Sequence, residues 1–186
     1  MLRVIAVTGY KPMELGIFSN KHPGIGIIKQ ALASRMQNLI EEGAEWFVTS
    51  GSSGVEIWAS EVVLSLKEQY PQVKLSILTP FLEQESRWPD YAKEEYYHVL
   101  KLADHVASIT NRPYESPRQL RLKNDFIIQK TDGLLVVYDE ESQGSPDYYL
   151  QAAKQRQKHE DYPIIYINRY DLEAVEMDMR DQYFDQ

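Results

Sequence analysis

A glycine- and serine-rich loop from Ser50 to Glu56 has the residue types and spacing best suited to binding a ligand. Its glycines let main-chain N–H groups approach a bound group closely, and the predicted contacts are Gly51, Ser52, Ser53, Gly54 and Glu56. The loop opens into a predicted helix, whose free amides and dipole favour an anion such as phosphate. A phosphate would repel Glu56, so a pair of ribose hydroxyls is the better partner for this carboxylate. The simpler alternative is that Ser50 caps the helix and Glu56 favours its first turn.

Three more segments that follow predicted strands carry candidate ligand contacts. Arg112 stands between a strand end and Pro113, so a rigid backbone would fix its position for an anion. The helix that follows is basic, although a solvated charged face is its simpler explanation. Farther along, the turn at Gly144 and Ser145 could form an amide nest for phosphate, or only a helix cap. The candidates in these segments are Thr8, Gly9, Tyr10, Arg112, Lys123, Asn124, Asp139, Gly144 and Ser145.

Several common kinds of site are excluded by the sequence. There is no cysteine, which excludes disulfides, thiol nucleophiles and thiolate metal sites. No G-x-x-x-x-G-K-[ST] segment is present, and the Gly24-Ile25-Gly26 pair lacks the third glycine of a dinucleotide fingerprint. The four histidines have no metal-ligand spacing, and no G-x-S-x-G nucleophile motif occurs. We therefore expect no metal site.

Alternating strands and helices must position these loops. Short apolar runs predict strands at Leu2–Thr8, Trp46–Thr49, Val73–Thr79, His105–Thr110, Leu134–Tyr138 and Ile164–Asn168. Helical patterns lie between them at Ile25–Glu42, Val55–Gln69, Tyr91–Ala103, Ser116–Lys130 and Pro146–Lys158. This order predicts an α/β fold, a Rossmann-like three-layer sandwich with a mainly parallel sheet of about six strands. In such a sheet ligands bind outside the carboxyl ends of the strands, where the candidate loops fall.

The length of the chain indicates how many domains it forms, and its charge indicates which partners it could bind. The chain has 186 residues, of which 43% are hydrophobic, enough for one domain, which we assign to residues 1–170. The net charge is −8, and residues 171–186, predicted to be an acidic tail, contribute −5 through six acids and one base. We therefore expect nucleic acid to be a poor partner. No apolar run is long enough for a membrane span or a signal peptide, so a cytoplasmic location is expected.

Four motifs in order resemble the YpsA family of the SLOG superfamily, whose members are related to DprA and to LOG phosphoribohydrolases. They are Thr8-Gly9-Tyr10-Lys11-Pro12, Ser50-Gly51-x-x-Gly54-Val55-Glu56, Arg112-Pro113-Tyr114-Glu115-Ser116-Pro117 and Asp132-Gly133 with Tyr138-Asp139 and Gly144-Ser145-Pro146. The resemblance implies a site for a nucleotide-derived ligand such as NAD or ADP-ribose, which would be the cofactor if there is one. A homodimer or a protein partner also stays open: the aromatic segment Trp88–Tyr97 could offer contacts to a partner, although packing of its own helix is the simpler explanation.

One departure from the pattern of the LOG relatives distinguishes ligand binding from hydrolysis. LOG hydrolases use a P-G-G-x-G-T-x-x-E segment, and Tyr148 stands here at the position of its glutamate. The expected function is therefore nucleotide-ligand binding, as a sensor or adaptor. The alternative is hydrolysis of a nucleotide N-glycosidic bond, with Glu56, Asp139 or Asp147 replacing the missing carboxylate.

Overall fold

Six parallel strands form one sheet in the computed structural model, which describes residues 1–185. The strands are β1 (Val4–Thr8), β2 (Trp46–Thr49), β3 (Lys74–Thr79), β4 (His105–Ser108), β5 (Gly133–Val137) and β6 (Ile164–Ile167). Their order across the sheet is β4-β3-β2-β1-β5-β6, so the chain reverses its direction of winding between β1 and β5. The crevice at such a reversal is where open α/β sheets bind ligands.

Six α-helices cover the two faces of the sheet. They are α1 (Pro23–Glu41), α2 (Val55–Leu66), α3 (Asp90–Leu102), α4 (Arg118–Lys130), α5 (Pro146–Gln157) and α6 (Arg169–Phe184). Helices α1, α2, α3 and α6 form one layer, and α4 packs against α5 in the other. The fold class predicted from the sequence, a three-layer α/β sandwich with a parallel sheet, is confirmed.

Alternation along each strand divides the core into two parts. Ile5 and Val7 of β1 face the layer that contains α1 and α2, whereas Ala6 packs with residues of α4 and α5. All three side chains are buried, which is typical of a central parallel strand covered on both faces. The sheet therefore holds its loops on a rigid, solvent-free support.

The second layer leaves part of its sheet face open. An apolar groove of about 440 Å³ runs along β2, β3 and β4 beside the end of α4. Residues that line it include Trp46, Val48, Leu78, Ala107 and Phe126.

A few element boundaries differ from the sequence predictions. α4 begins at Arg118 and not at Ser116, because the side-chain oxygen of Gln119 accepts hydrogen bonds from the N–H groups of Glu115 and Ser116 and holds them in a loop. A short 3₁₀ helix at Pro12–Leu15 was not predicted. Most of the acidic segment after Tyr170 belongs to α6, whose Leu172 and Val175 pack against the core. In residues 1–185, no helix combines the length and hydrophobicity that a membrane crossing requires.

Candidate functional site

A cleft of about 260 Å³ lies at the carboxyl edge of the sheet, where α2, α4 and α5 begin. This cleft is smaller than the groove on the open sheet face. Many polar side chains and the N-termini of helices meet in the cleft and not in the groove, so the cleft is the candidate site. Of the residues predicted from the sequence, those that line the cleft are Thr8, Gly9, Ser52, Ser53, Glu56, Lys123, Asn124 and Ser145. Loops far apart in the chain thus meet at one place.

Glu56 joins the first two strands at the floor of the cleft. Its Oε1 accepts hydrogen bonds from Ser50 N–H at 2.6 Å and from Ser50 Oγ at 2.8 Å. Its Oε2 accepts one from Thr8 Oγ1 at 3.1 Å. The side chain is 4% exposed. Glu56 therefore ties β1 to the start of α2. Ser50, which the simpler prediction made the cap of this helix, instead donates its hydrogen bonds to the Glu56 carboxylate.

Lys123 is a buried cation beside this carboxylate. It is 6% exposed, and its Nζ donates to the Tyr149 hydroxyl at 3.2 Å and lies 4.5 Å from the centre of that ring. Burial lowers the pKa of Lys123 to about 8, and the charge of Glu56 partly opposes this change. Among residues 1–185 no carboxylate forms an ion pair with Lys123.

Asn124 is a second polar residue of the cleft that lacks a partner. Its Oδ1 is buried and accepts no hydrogen bond from the part of the chain that the structure describes. Such an atom costs free energy unless something donates to it. The Lys123–Asn124 pair thus brings an unpaired cation and an unpaired amide oxygen to the same wall.

The glycines of the loop after β2, Gly51 and Gly54, are required by packing within the protein. Gly54 has φ +96°, and a Cβ there would lie 2.5 Å from the carbonyl oxygen of Tyr10. Gly51 has φ +70°, and a Cβ there would approach Ile77 and Tyr96 within about 3.1 Å. These glycines let the loops after β1 and β2 meet, while Ser52 and Ser53 are the loop residues that face the cleft.

Tyr10 and Asp139 join loops behind the cleft. The Tyr10 hydroxyl accepts a hydrogen bond from Asp139 N–H at 2.9 Å and lies 2.5 Å from the carbonyl oxygen of Ser142. The Tyr10 ring stacks on Tyr138 at 6.1 Å. Neither Tyr10 nor Asp139 lines the cleft.

The Gly144-Ser145 turn, predicted to bind phosphate, is occupied by a carboxylate of the protein. Glu14 accepts a hydrogen bond from Ser145 N–H at 2.7 Å and from Ser145 Oγ at 2.5 Å. A Cβ at Gly144 would lie 2.0 Å from this carboxylate. Burial opposes ionisation of Glu14, but the hydrogen bonds from Ser145 and Lys11 outweigh it and lower the pKa.

Arg112 lies outside the cleft, on the loop before α4. Its side chain is 58% exposed and lies 3.6 Å from the carboxylate of Glu115. Its carbonyl oxygen accepts a hydrogen bond from Leu82 N–H at 2.9 Å, which joins this loop to the one after β3. A ligand confined to the cleft would not reach the guanidinium directly.

Other residues of the cleft were not predicted from the sequence, among them Lys11, Phe81, Gln84, Trp88 and Tyr149. Phe81 and Gln84 follow β3, so its position beside β2 could have indicated them. The aromatic segment Trp88–Tyr97 was predicted either to contact a partner or to pack its helix, and Tyr96 does the second: it is buried in the core and contacts the Trp88 ring edge-on at 5.2 Å between ring centres. Tyr148, the residue that replaces the hydrolase glutamate, is on the cleft wall and 62% exposed.

Comparison with known proteins gives consistent similarities in sequence. A family model described as the YspA SLOG family matches residues 5–172. A UPF0398 protein of Halalkalibacterium halodurans is 55% identical over 182 residues, which cover 97% of this chain and 96% of that protein. A UPF0398 protein of Lysinibacillus sphaericus is 51% identical over 176 residues, or 95% and 98% of the two chains.

Among solved structures, DNA processing protein A from Helicobacter pylori has a similar fold, with a TM-score of 0.57 and 16% identity. The match covers 96% of this chain and 81% of that one. That structure is described by its single-stranded DNA binding mode.

The prediction of a small nucleotide-like partner, with nucleic acid a poor one, is wrong. The finding against it is that a protein of this fold is described as binding single-stranded DNA. The physical error was to argue from overall charge, because binding depends on where cations lie in the folded protein. The resemblance to the YpsA family, in contrast, is confirmed. From the family match and the identity to its relatives along almost the whole chain, the protein belongs to the YpsA family of SLOG proteins.

Proposed function

We propose that the cleft binds one nucleotide unit of a single-stranded nucleic acid, with a phosphate at Lys123 and a base against the aromatic wall. The observation that carries this proposal is the burial of Lys123 without an ion-pair partner among residues 1–185. A buried, unpaired ammonium group is costly. An anion that enters the cleft would remove that cost, so binding and charge neutralisation would be coupled.

The other walls suit the rest of a nucleotide. Phe81, Trp88 and Tyr148 line the cleft, and aromatic faces stack on any base without regard to sequence. Asn124 Oδ1 lacks a hydrogen-bond donor, which a sugar hydroxyl or a base amino group could supply after a small rotation of the amide. Phosphate alone offers no such donor when it is fully ionised.

The size of the cleft favours a single unit. Its volume of about 260 Å³ is below the ~300–1,000 Å³ that usually encloses a drug-sized ligand. A base inside a duplex is stacked on both faces and cannot enter such a cleft without being extruded. The single-stranded DNA binding described for the Helicobacter pylori protein supports this choice.

A role for NAD or ADP-ribose as a cofactor, which the family resemblance implied, stays a prediction. A dinucleotide is too large to be enclosed by the cleft. The hydrolase alternative finds little support in the geometry, because both oxygens of Glu56 already accept hydrogen bonds from Ser50 and Thr8. The sensor or adaptor role also stays a prediction.

Equilibrium titrations test the proposal. The protein is titrated with dTMP, with a fluorescent dT12 oligonucleotide, with a duplex of the same length, and with NAD and ADP-ribose. We expect dTMP to bind weakly, dT12 to bind more tightly, and the duplex to bind less well than dT12. Lys123→Met, which keeps the length of the side chain, should weaken dTMP and dT12 binding at least about tenfold.

Lys158→Met is the matched control, because Lys158 is an exposed cation at the opposite end of α5 and does not line the cleft. It should change neither affinity. Failure of dT12 and dTMP to bind the unaltered protein would overturn the proposal. Saturable binding of NAD or ADP-ribose without binding of dT12 would overturn it in favour of a free ligand. Release of free base from a nucleotide would establish the hydrolase alternative.

A further inference from the structure

We propose that a single strand held in the cleft continues over a second binding surface, the α4 platform, formed by Phe81, Arg112, Tyr114, Arg118 and Arg121. This inference rests on the proposed function and extends it from one nucleotide to a short run. The platform combines exposed cations with aromatic rings, the two features that bind a single strand without sequence preference.

The cations of the platform lie at the start of α4. Arg118 and Arg121 are exposed and are three residues apart, so their side chains share one side of the helix. Within residues 1–185, neither forms an ion pair or a side-chain hydrogen bond, and the contact between Arg112 and Glu115 is long at 3.6 Å and well exposed. The guanidinium groups of Arg118 and Arg121 are therefore free to contact phosphates, and Arg112 would exchange an exposed contact with Glu115 for one with a phosphate.

The aromatic part of the platform is a pair of rings, one of which lies on the loop that leads into α4. Phe81 and Tyr114 meet edge-on with 5.1 Å between ring centres, and Tyr114 is 55% exposed. A ring exposed this far and fixed by a neighbour offers a face on which a base can stack.

The platform is continuous with the cleft. Phe81 lines the cleft and also contacts Tyr114. Leu120 lines the cleft as well, and it belongs to the same first turn of α4 as Arg118 and Arg121. A strand that leaves the cleft past Phe81 would thus meet the ring of Tyr114 and then the first turn of α4, which carries Arg118 and Arg121.

The test compares ligand length and salt dependence. Arg118→Ala/Arg121→Ala should weaken dT12 binding about tenfold and leave dTMP binding within about twofold of normal. Each lost phosphate contact to a single strand should reduce the slope of log affinity against log salt by about 0.7, and hence by about 1.4 for the pair. Lys154→Ala/Lys158→Ala, which removes two exposed cations at the far end of α5, is the control and should change neither value.

A second variant tests the aromatic ring. Tyr114→Leu should weaken dT12 binding about tenfold, whereas Tyr114→Phe keeps the ring and should bind normally. Equal affinity of the unaltered protein for dTMP and dT12, or an unchanged salt slope in the double arginine variant, would overturn the platform while the cleft proposal stands. Loss of binding by the unaltered protein to both ligands would instead overturn the proposed function itself. Circular dichroism confirms that each variant is folded.

Discussion

Lys123 is the residue on which the chemistry of the cleft depends most. Its position after a proline-punctuated loop made it a candidate in the sequence, together with Asn124. The sequence could not show that its ammonium group is buried, nor that Tyr149 is its hydrogen-bond partner, because α5 reaches that position only through the packing of α4 on α5. Burial is a property of the assembled layers and not of the motif.

The protonation of Lys123 should be visible in stability. Burial lowers its pKa to about 8 in the folded protein, whereas an unfolded chain holds the proton to about pH 10.4. The unfolded state therefore binds more protons above about pH 8, and the free energy of unfolding should rise with pH. Between about pH 7 and about pH 9, we expect the titration of Lys123 to raise the free energy of unfolding by about 1 kcal/mol, which urea denaturation would measure.

Lys123→Met removes this titration. Its free energy of unfolding should lack that rise over the same range, and at about pH 7 the variant should be at least as stable as the unaltered protein. An identical rise in the variant would contradict the assignment to Lys123.

At the scale of elements, the loops after β1, β2 and β5 form one unit. Sequence analysis predicted that their glycines free main-chain donors for phosphate. In the structure Gly54 accommodates Tyr10, and Gly144 accommodates Glu14. Glycine and strand ends are local signals, so the sequence indicated that loops follow these strands, but the partners of those glycines lie in distant parts of the chain. Local sequence does not reveal such contacts.

Replacing Gly54 tests this packing role. Gly54→Ala should lower the free energy of unfolding by about 2 kcal/mol, because φ is +96° and the new Cβ would lie 2.5 Å from a carbonyl oxygen. Gly26→Ala is the matched control inside α1, where a Cβ would meet nothing within 4 Å. There we expect a gain of about 0.5–1 kcal/mol from helix propensity. Similar effects of the two changes in chemical denaturation would contradict the interpretation.

Glu14 joins the segment after β1 to α5, and its contribution should depend on pH. Its pKa is lowered in the folded protein, so its stabilising effect is present above the pKa of the unfolded chain and disappears as pH falls through the folded value. Glu14→Gln should therefore be less stable than the unaltered protein near neutral pH, and the difference should shrink below about pH 4.5.

Urea denaturation of both proteins between about pH 3.5 and about pH 7 measures this difference. Glu173→Gln, which changes an exposed carboxylate of α6, is the control. A constant difference between Glu14→Gln and the unaltered protein across the range would show that the Glu14 carboxylate does not titrate as described.

At the scale of the whole molecule, the strand order places opposite charges apart. The fold class, the parallel sheet and the edge where the loops meet were all predictable, because alternating apolar strands and amphipathic helices specify them. The strand order depends on pairings between distant segments and became clear only from the structure. The acidic α6 packs against α1, in the layer opposite to α4.

Neutralising acidic residues of α6 tests whether this separation matters. Asp181 is 13 residues beyond Asn168, the residue that precedes α6, so it lies about 20 Å along the helix axis from the start of the helix. This distance is more than twice the screening length of about 8 Å in physiological salt. Asp178→Asn/Asp181→Asn should therefore raise dT12 affinity by less than about twofold at about 0.15 M salt. A gain as large as the loss expected for Arg118→Ala/Arg121→Ala would show that net charge controls binding.

Gln119 gives the loop before α4 an unusual rigidity. Its Oε1 accepts from Glu115 N–H and Ser116 N–H, and its Nε2 donates to Thr110 Oγ1 and to the carbonyl oxygen of Pro113. A single buried amide thus uses all its hydrogen-bonding capacity to fix the backbone around Tyr114. The entropic cost of ordering this loop is met when the protein folds and not when a partner binds. A partner that binds there meets a preorganised surface, so little of its affinity is lost through ordering of the loop.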